Sequence, residues 1–466
     1  MGRHLSDNTE TREQRVIHGR DTTPSANQEF HVTDGYRKYV LVLVVLVYVI
    51  NFVDRQIFSI LIEPIRLEIE LSDLQLGLLG GIAFAIFYTL AGIPIARWAD
   101  VGSRKTIISL ALVIWSVMTA FTGTAKSFGA LIIARVGVGI GEAGCSPPIH
   151  SLISDYFPPE KRGTALSVYA LGIPIGAAVG TLLGGWIGAE FGWRMAFFVV
   201  GVPGVLVAVL VHFTLREPPR GFSEPPSPKD QLVEPVAPTV PLKQVISFMW
   251  SLKSFRHLSF AGSLHAFVGY GVGLFLPAFF MRVHGFGLKE TATYLFLLGL
   301  TGMIGTFLGG YLGDRYGKRD KRWYMFIPGI ATLASVPFAV MFYTTADPYW
   351  ALAWAIPGFI LGPMYLGPTF AMTQTLVTPA MRALASAILL FVLNLIGLGL
   401  GPVAAGALSD YLRADYGEES IRYSLLILAV FGNLWAAVHY YFASRTLRED
   451  LEAKNRSVDG VNLLDP

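Results

Sequence analysis

Apolar runs of bilayer-crossing length recur along this chain of 466 residues. A membrane helix needs roughly 20 mostly apolar residues. The first such run is Tyr39 to Ile62, and others fall near 74–97, 105–125, 128–155, 163–190 and 193–215. Residues 216–256 interrupt the series with a polar, proline-rich linker that includes Glu217, Pro218, Pro219 and Arg220. The runs resume near 257–283, 289–312, 322–344, 349–376, 383–412 and 420–444. The pattern predicts an all-α membrane protein of about twelve transmembrane helices, six on each side of one linker.

Composition agrees. Charged residues make up 15% of the chain, against about 25% in a soluble domain, and the mean hydropathy is +0.51. The 49 glycines and 27 prolines are better tolerated in membrane helices than in soluble ones. A net charge of +3, with no long Lys/Arg cluster, gives no reason to expect a nucleic-acid partner. The single cysteine, Cys145, excludes an intramolecular disulfide and any multi-cysteine metal site. No cofactor or metal is expected. Walker, His-Glu-x-x-His and Gly-x-Ser-x-Gly patterns are absent, so no catalytic residue is assigned and an enzyme is not expected. Without an ATP site, an ion gradient is the expected energy source.

Basic residues orient the chain. Alternate connections hold Arg37 and Lys38; Arg97, Arg104 and Lys105; Lys161 and Arg162; a linker rich in Lys and Arg; Arg315, Lys318, Arg319, Lys321 and Arg322; Arg382; and Arg445 and Arg448. The opposite set holds only Arg66, Lys126, Arg194, Arg282, Lys289, Arg413 and Arg422. The heavy side is expected to be cytoplasmic, with both termini inside, in a plasma (cell inner) membrane. Residues 1–35 lack a signal-peptide pattern and read as a disordered cytoplasmic tail. The expected divisions are then a six-helix half over 36–215 and a cytoplasmic linker over 216–256. A second half over 257–446 and a cytoplasmic tail over 447–466 follow. Within the linker, Leu242 to Phe255 could form an amphipathic helix on the membrane surface.

The halves echo each other. Arg97-Trp-Ala-Asp100-Val-Gly102-Ser-Arg104-Lys105 follows the second span, and Gly313-Asp314-Arg315-Tyr-Gly317-Lys318-Arg319 follows the eighth. Pro159-Glu-Lys-Arg162-Gly-Thr-Ala165 and Pro379-Ala-Met-Arg382-Ala-Leu-Ala385 follow the fourth and tenth. Two echoes in register indicate duplication, an arrangement common among secondary transporters. An acid beside several bases at closely packed helix ends can pair when that face closes and separate when it opens. Asp100, Arg104, Arg162, Asp314, Arg315 and Arg382 are therefore the expected cytoplasmic gate. Glycines at four-residue spacing, Gly172 to Gly184, Gly305 to Gly313, and Gly397 with Gly401, mark close helix contacts.

These loop sequences resemble the signature of the major facilitator superfamily. Asp314 to Arg319 fits the superfamily's loop pattern closely; in the first copy Gly102 comes one position early and Val101 replaces the usual base. Arg135-Val-Gly-Val-Gly139-Ile-Gly141-Glu142 resembles the superfamily's fourth-span motif, and Gly399-Leu-Gly401-Pro402 resembles the glycine–proline motif of antiporters. The likeness covers residues 36–446. Asn51-Phe-Val-Asp54-Arg55, with Arg135 and Glu142, looks like the spinster branch and its bacterial homologues. Animal members of that branch are implicated in moving sphingosine phosphate and lysophospholipids. Gly141-Glu142-Ala143-Gly144 and the Phe157 to Gly163 stretch also resemble organic-anion symporters.

Charges inside membrane spans are costly, by roughly 2.5–3.5 kcal/mol on insertion scales, and are functional candidates by default. Asp54, Arg55, Arg135 and Glu142 stand out, and Arg135 and Glu142 are seven residues apart on one helix face. In the resembled fold the first and fourth spans line a central cavity, which would bring these four groups together. A buried carboxyl beside an arginine is poised between opposing pKa effects and can exchange a proton as the conformation changes. Asp54 and Glu142 are the expected proton-coupling residues. Arg55, Arg135, Asn51, Tyr365 and Thr369 are the expected substrate contacts or charge partners. The implied function is a monomeric, proton-coupled secondary transporter working by alternating access among membrane lipids. Its implied substrate is lipid-like or amphiphilic and anionic, of lysolipid or sphingoid phosphate type. The alternative is a proton-coupled carrier of small organic anions or drugs.

Overall fold

The computed structural model describes residues 32–223, 241–378 and 381–458, and none of them lies in a strand. Residues 1–31 of the tail expected over 1–35, the proline-rich stretch 224–240, residues 379 and 380, and residues 459–466 of the tail expected over 447–466 lie outside the described residues.

The apolar runs fold as continuous helical crossings because lipid leaves the backbone no other partner for its N–H and C=O groups. Spans 1 to 6 are Asp34–Ile60, Asp73–Val101, Arg104–Thr122, Phe128–Tyr156, Pro159–Phe191 and Trp193–Thr214. Spans 7 to 10 are Lys253–His284, Leu288–Gly317, Trp323–Thr344 and Pro348–Thr375. The last apolar stretch, Leu384–Glu452, is 69 residues long. At about 1.5 Å per residue it is some three times the ~30 Å hydrocarbon core. It folds back at Gly417, whose φ of 56° suits a residue without Cβ. It therefore holds two crossings, span 11 from Arg382 to Tyr416 and span 12, Ser420–Val458.

Helix ends differ from the sequence pattern where distant residues cap them. The surface helix stops at Ser251 and does not run on to Phe255. Span 7 starts at Lys253 because the Asp450 carboxylate accepts the Ser254 N–H at 2.6 Å. Span 12 continues past residue 446 to Val458. Leu447 is buried there and Arg448 pairs with Asp320 at 3.0 Å.

The glycine rows pack helices within each half. A Cβ on Gly176 would meet the Val49 carbonyl oxygen at 2.4 Å, so span 5 lies directly against span 1. On Gly305 it would meet the Ile360 carbonyl oxygen at 1.8 Å, which joins span 8 to span 10 in the same way. Several spans break near mid-membrane. Span 4 breaks at Gly144 and Cys145, just after Glu142 and before Pro147 and Pro148. Span 11 widens into a π-helix over Asn394–Leu400, a geometry often found at functional sites.

Candidate functional site

Neighbouring residues on a helix point about 100° apart, so Asp54 and Arg55 cannot share a direction. Asp54 turns into the first half, where its Oδ2 accepts the Thr119 hydroxyl of span 3 at 2.9 Å. Its Oδ1 is buried without a hydrogen-bond partner, and no base lies within ion-pair distance among the described residues. Arg55 turns toward the space between the halves. Its Nε donates to Glu142 Oε2 at 2.6 Å, and Glu142 Oε1 has no partner. The Arg55 guanidinium carbon lies 4.8 to 5.1 Å from the ring centres of Phe52, Phe84 and Tyr88. Such faces hold a cation with little water.

Among the described residues Arg135 donates only to the Leu79 carbonyl, at 3.2 Å, and it lies over the rings of Phe58 and Phe84 at 4.6 and 5.0 Å. Phe84 thus sits beneath both guanidinium groups. Arg55 and Arg135 together border a cavity of about 290 Å³, closed on the other side by Tyr270 and Gly273 of span 7 and by Leu398 and Pro402 of span 11. Two further chambers adjoin it. One, of about 180 Å³, shares Gln56, Ser59 and Gly273 and runs out between spans 5 and 8 past Pro174, Leu300 and Met303. The other, of about 160 Å³, shares Gly269 and enters the second half among Phe338, Phe342, Tyr343 and Trp354.

The four charges expected to gather do gather, but they form one ion pair, since Asp54 bonds a threonine. Asn51 is buried beside them; its amide approaches Glu142 without a hydrogen bond of normal geometry. Tyr365 and Thr369 are not at this cavity. The Tyr365 ring packs on His265 at 4.2 Å, and buried Thr369 meets the Tyr440 hydroxyl at 3.3 Å inside the second half. Sequence reasoning missed Thr119, Gln56, Ser59 and the aromatic cradle. A lone threonine or phenylalanine in an apolar span carries no local mark of what it faces.

The ends of the halves behave differently on the two faces. On the face away from the termini, Arg282 of span 7 crosses to the first half. Its Nη1 and Nη2 donate to the two Asp73 oxygens at 2.8 Å each, and its Nε donates to Glu63 at 2.7 Å. Arg66 joins Glu63 at 2.7 Å to Glu418 at 3.0 Å. The Asp410 carboxylate accepts the N–H groups of Asp73 and Leu74 at 3.0 and 2.8 Å, so span 11 caps the start of span 2. Gly406 has room only for hydrogen, because a Cβ there would lie 2.0 Å from the Asp73 carbonyl.

On the face that carries the termini, buried Arg104 pairs with Asp155 of its own half and with Glu217 at the start of the linker, the latter at 2.6 Å. Arg162 donates to the Phe157 carbonyl and to Ser223. Asp314 accepts the Tyr324 hydroxyl at 2.8 Å, and Arg315 donates to Tyr311. Asp100 and Arg382 are exposed. No ion pair among the described residues joins the halves on this face. The six expected gate residues are therefore not paired with one another, and Arg104 takes partners the sequence pattern did not suggest. The distal network carried one sequence signal: Arg66, Arg282, Arg413 and Arg422 sit on the side poor in bases, close to Glu63, Asp73, Glu418 and Glu419.

Two six-helix bundles, tied by ion pairs on one face and by none among the described residues on the other, with a charged cavity between them, make up a polytopic membrane transporter. A model of the Major Facilitator Superfamily matches residues 44–398, and the chain belongs to that family. It is similar to a bacterial homologue of the human lysosomal transporter Spinster, at 34% identity, with 90% of this chain and 99% of that chain covered. The TM-score is 0.81 to its inward-facing, unoccupied structure and 0.79 to its inward-facing, occupied one. An MFS-type efflux pump of Mycolicibacterium smegmatis is 34% identical over 410 residues, 87% of this chain and 92% of that protein. Protein spinster homolog 1 of Xenopus tropicalis is 25% identical over 461 residues, 92% of this chain and 84% of that protein. The chain is a transporter of the spinster type.

Proposed function

We propose that the chain is a proton-coupled secondary transporter that works by alternating access on anionic amphiphiles of the lysolipid or sphingoid phosphate type. The observation that carries this is a doubly cationic cavity, at Arg55 and Arg135, that shares wall residues with two mainly apolar chambers. A guanidinium fork suits a phosphate or carboxylate, and an acyl chain needs an apolar channel. The resemblance of the stretch from Asn51 to Arg55, with Arg135 and Glu142, to the spinster branch implies the same substrate class.

In the observed state Arg55 is taken by Glu142. An anionic head group competes for Arg55 best when a proton neutralises Glu142. Asp54 has no cation at bonding distance, so a proton is the counter-charge that reaches it. Protons then act as ligands that bind the two conformations unequally, which is what shifts an equilibrium between them. The distal network centred on Arg282 holds one face shut in this state. Asp100, Asp314, Arg315 and Arg382 stand exposed at the parted face and supply the gate when it closes; Arg162 contributes from its place beside Phe157 and Ser223. Arg104, committed to Asp155 and Glu217, braces the first half. The base-rich connections support a cytoplasmic position for the parted face, and a plasma membrane is the setting proposed for the protein.

The efflux-pump relative favours a second reading, a carrier of small organic anions or drugs. Proteoliposome flux at two pH values, compared across lysolipids, sphingoid phosphates and small organic acids, separates the two. Asp54→Asn is expected to leave the protein folded and substrate-binding while abolishing the response of flux to a pH gradient. Normal proton-driven uptake by that variant would sink the coupling role.

A further inference from the structure

The ten-residue helix Leu242–Ser251 presents three different faces, and the protein accounts for only one of them. Val245 and Met249 are buried among Phe255, Leu258, Met372 and Leu447, at the ends of spans 7, 10 and 12. Four-residue spacing makes a second row of Leu242, Ile246 and Trp250, which stay 54%, 45% and 44% exposed. One residue further round, Lys243, Ser247 and Ser251 form a third row, also exposed. A helix in water has no use for a bare apolar row between a buried face and a polar one. A helix lying at a membrane surface needs that order: protein on one side, acyl chains below, water above.

The surroundings agree. The Trp250 ring lies 6.2 Å from Phe260 of span 7, and Phe260 lies 5.6 Å from His439 of span 12. Phe260, Trp435 and Phe442 are exposed on the outer side of those spans. Tryptophan gathers where membrane meets water. The sequence from Pro241 to Gly262 holds Lys243, Lys253 and Arg256 and no Asp or Glu. None of these three bases has an ion-pair partner among the described residues. The nearby Asp450 is turned to the Ser254 N–H and His257 to His439.

We infer that this helix is an in-plane anchor for an anionic phospholipid surface. Leu242, Ile246 and Trp250 enter the leaflet on the face of the termini, and Lys243, Lys253 and Arg256 hold its acidic head groups. The inference goes beyond the transport reading and does not depend on substrate or coupling.

The native Cys145 is buried, so Cys145→Ser provides a clean background for spin labelling of the full chain. Labels at Ile246→Cys and Trp250→Cys, in phosphatidylcholine–phosphatidylglycerol vesicles, should collide with oxygen and not with a water-soluble nickel chelate. Labels at Ser247→Cys and Ser251→Cys should do the reverse, and one at Val245→Cys should meet neither. Equal nickel access on both outer rows, or dipolar broadening at Ile246→Cys from a second copy of the chain, overturns the anchor. Brominated phosphatidylglycerol should quench the Trp250 emission, isolated by subtracting Trp250→Phe, roughly twofold more than brominated phosphatidylcholine. The double change Lys243→Gln with Lys253→Gln should remove that preference, and free glycerol phosphate should not alter it. Equal quenching by the two lipids in the unaltered chain overturns the head-group role. None of these readouts requires transport, so failure of the transport reading leaves them intact.

Discussion

Arg282 and Arg104 are chemically alike and mechanically opposite. Each is a buried arginine, 3% and 1% exposed, holding two carboxylates. Arg282 takes Asp73 and Glu63 from the other half, whereas Arg104 takes Asp155 from its own and Glu217 from the linker residues that directly follow it. The first pair of contacts must break whenever the distal face opens. The second can travel unchanged with a moving half. A buried arginine therefore says nothing about gating until the owner of its partners is known.

The largest expected effect follows from breaking the bridging cluster. Arg282→Gln leaves Asp73 buried without its cation, while Glu63 keeps Arg66, a loss of about 3–5 kcal/mol for breaking such a pair. All of it falls on the closed distal face, because the contact crosses the halves. Spin labels at Leu67→Cys and Asp415→Cys should move apart, and transport should drop. Unchanged distances would mean that helix packing, such as that at Gly406, closes this face without Arg282. Arg104→Gln comes next. It should lower the melting temperature, by a stability loss of about 3 kcal/mol, and leave the distal label distances as they were. A distal opening in that variant would erase the contrast.

The smallest effect is one of pH. Burial would push the Glu217 carboxyl up. The Lys105 N–H, the Arg104 guanidinium and the Ser103 hydroxyl outweigh it and hold the group below its ordinary 4.5. A carboxyl held low stabilises the fold above its ordinary value and loses that contribution as pH falls through the lowered one. Melting temperature should thus stay level from neutral pH down to about 5 and decline below that. Glu217→Gln should remove the part of the decline due to this group. With the side chain 30% exposed, solvent screening limits that part to on the order of 1 kcal/mol. A decline of the same size in the variant would show that Glu217 is not its source.

Much of the fold was legible in the sequence because crossing a membrane is a local requirement. Roughly 20 apolar residues must follow one another, so each span carries its own record. The four buried charges were legible for the same reason: each is expensive where it stands. Their partners were not. Asp54 bonds Thr119, 65 positions away, and Arg282 meets Asp73 across 209. Tyr365 and Thr369 illustrate the converse, since polar groups in an apolar span can turn into their own bundle and away from the cavity.

By itself, then, the sequence determined the number of spans, the two-fold duplication of the chain and the residues too costly to bury without purpose. Only the tertiary structure decided which face is tied shut, which arginine bridges the halves and which chambers border the charged cavity. The physical reason is range. Burial in lipid is set residue by residue along the chain, whereas an ion pair or a cavity wall exists only once distant helices have been packed side by side.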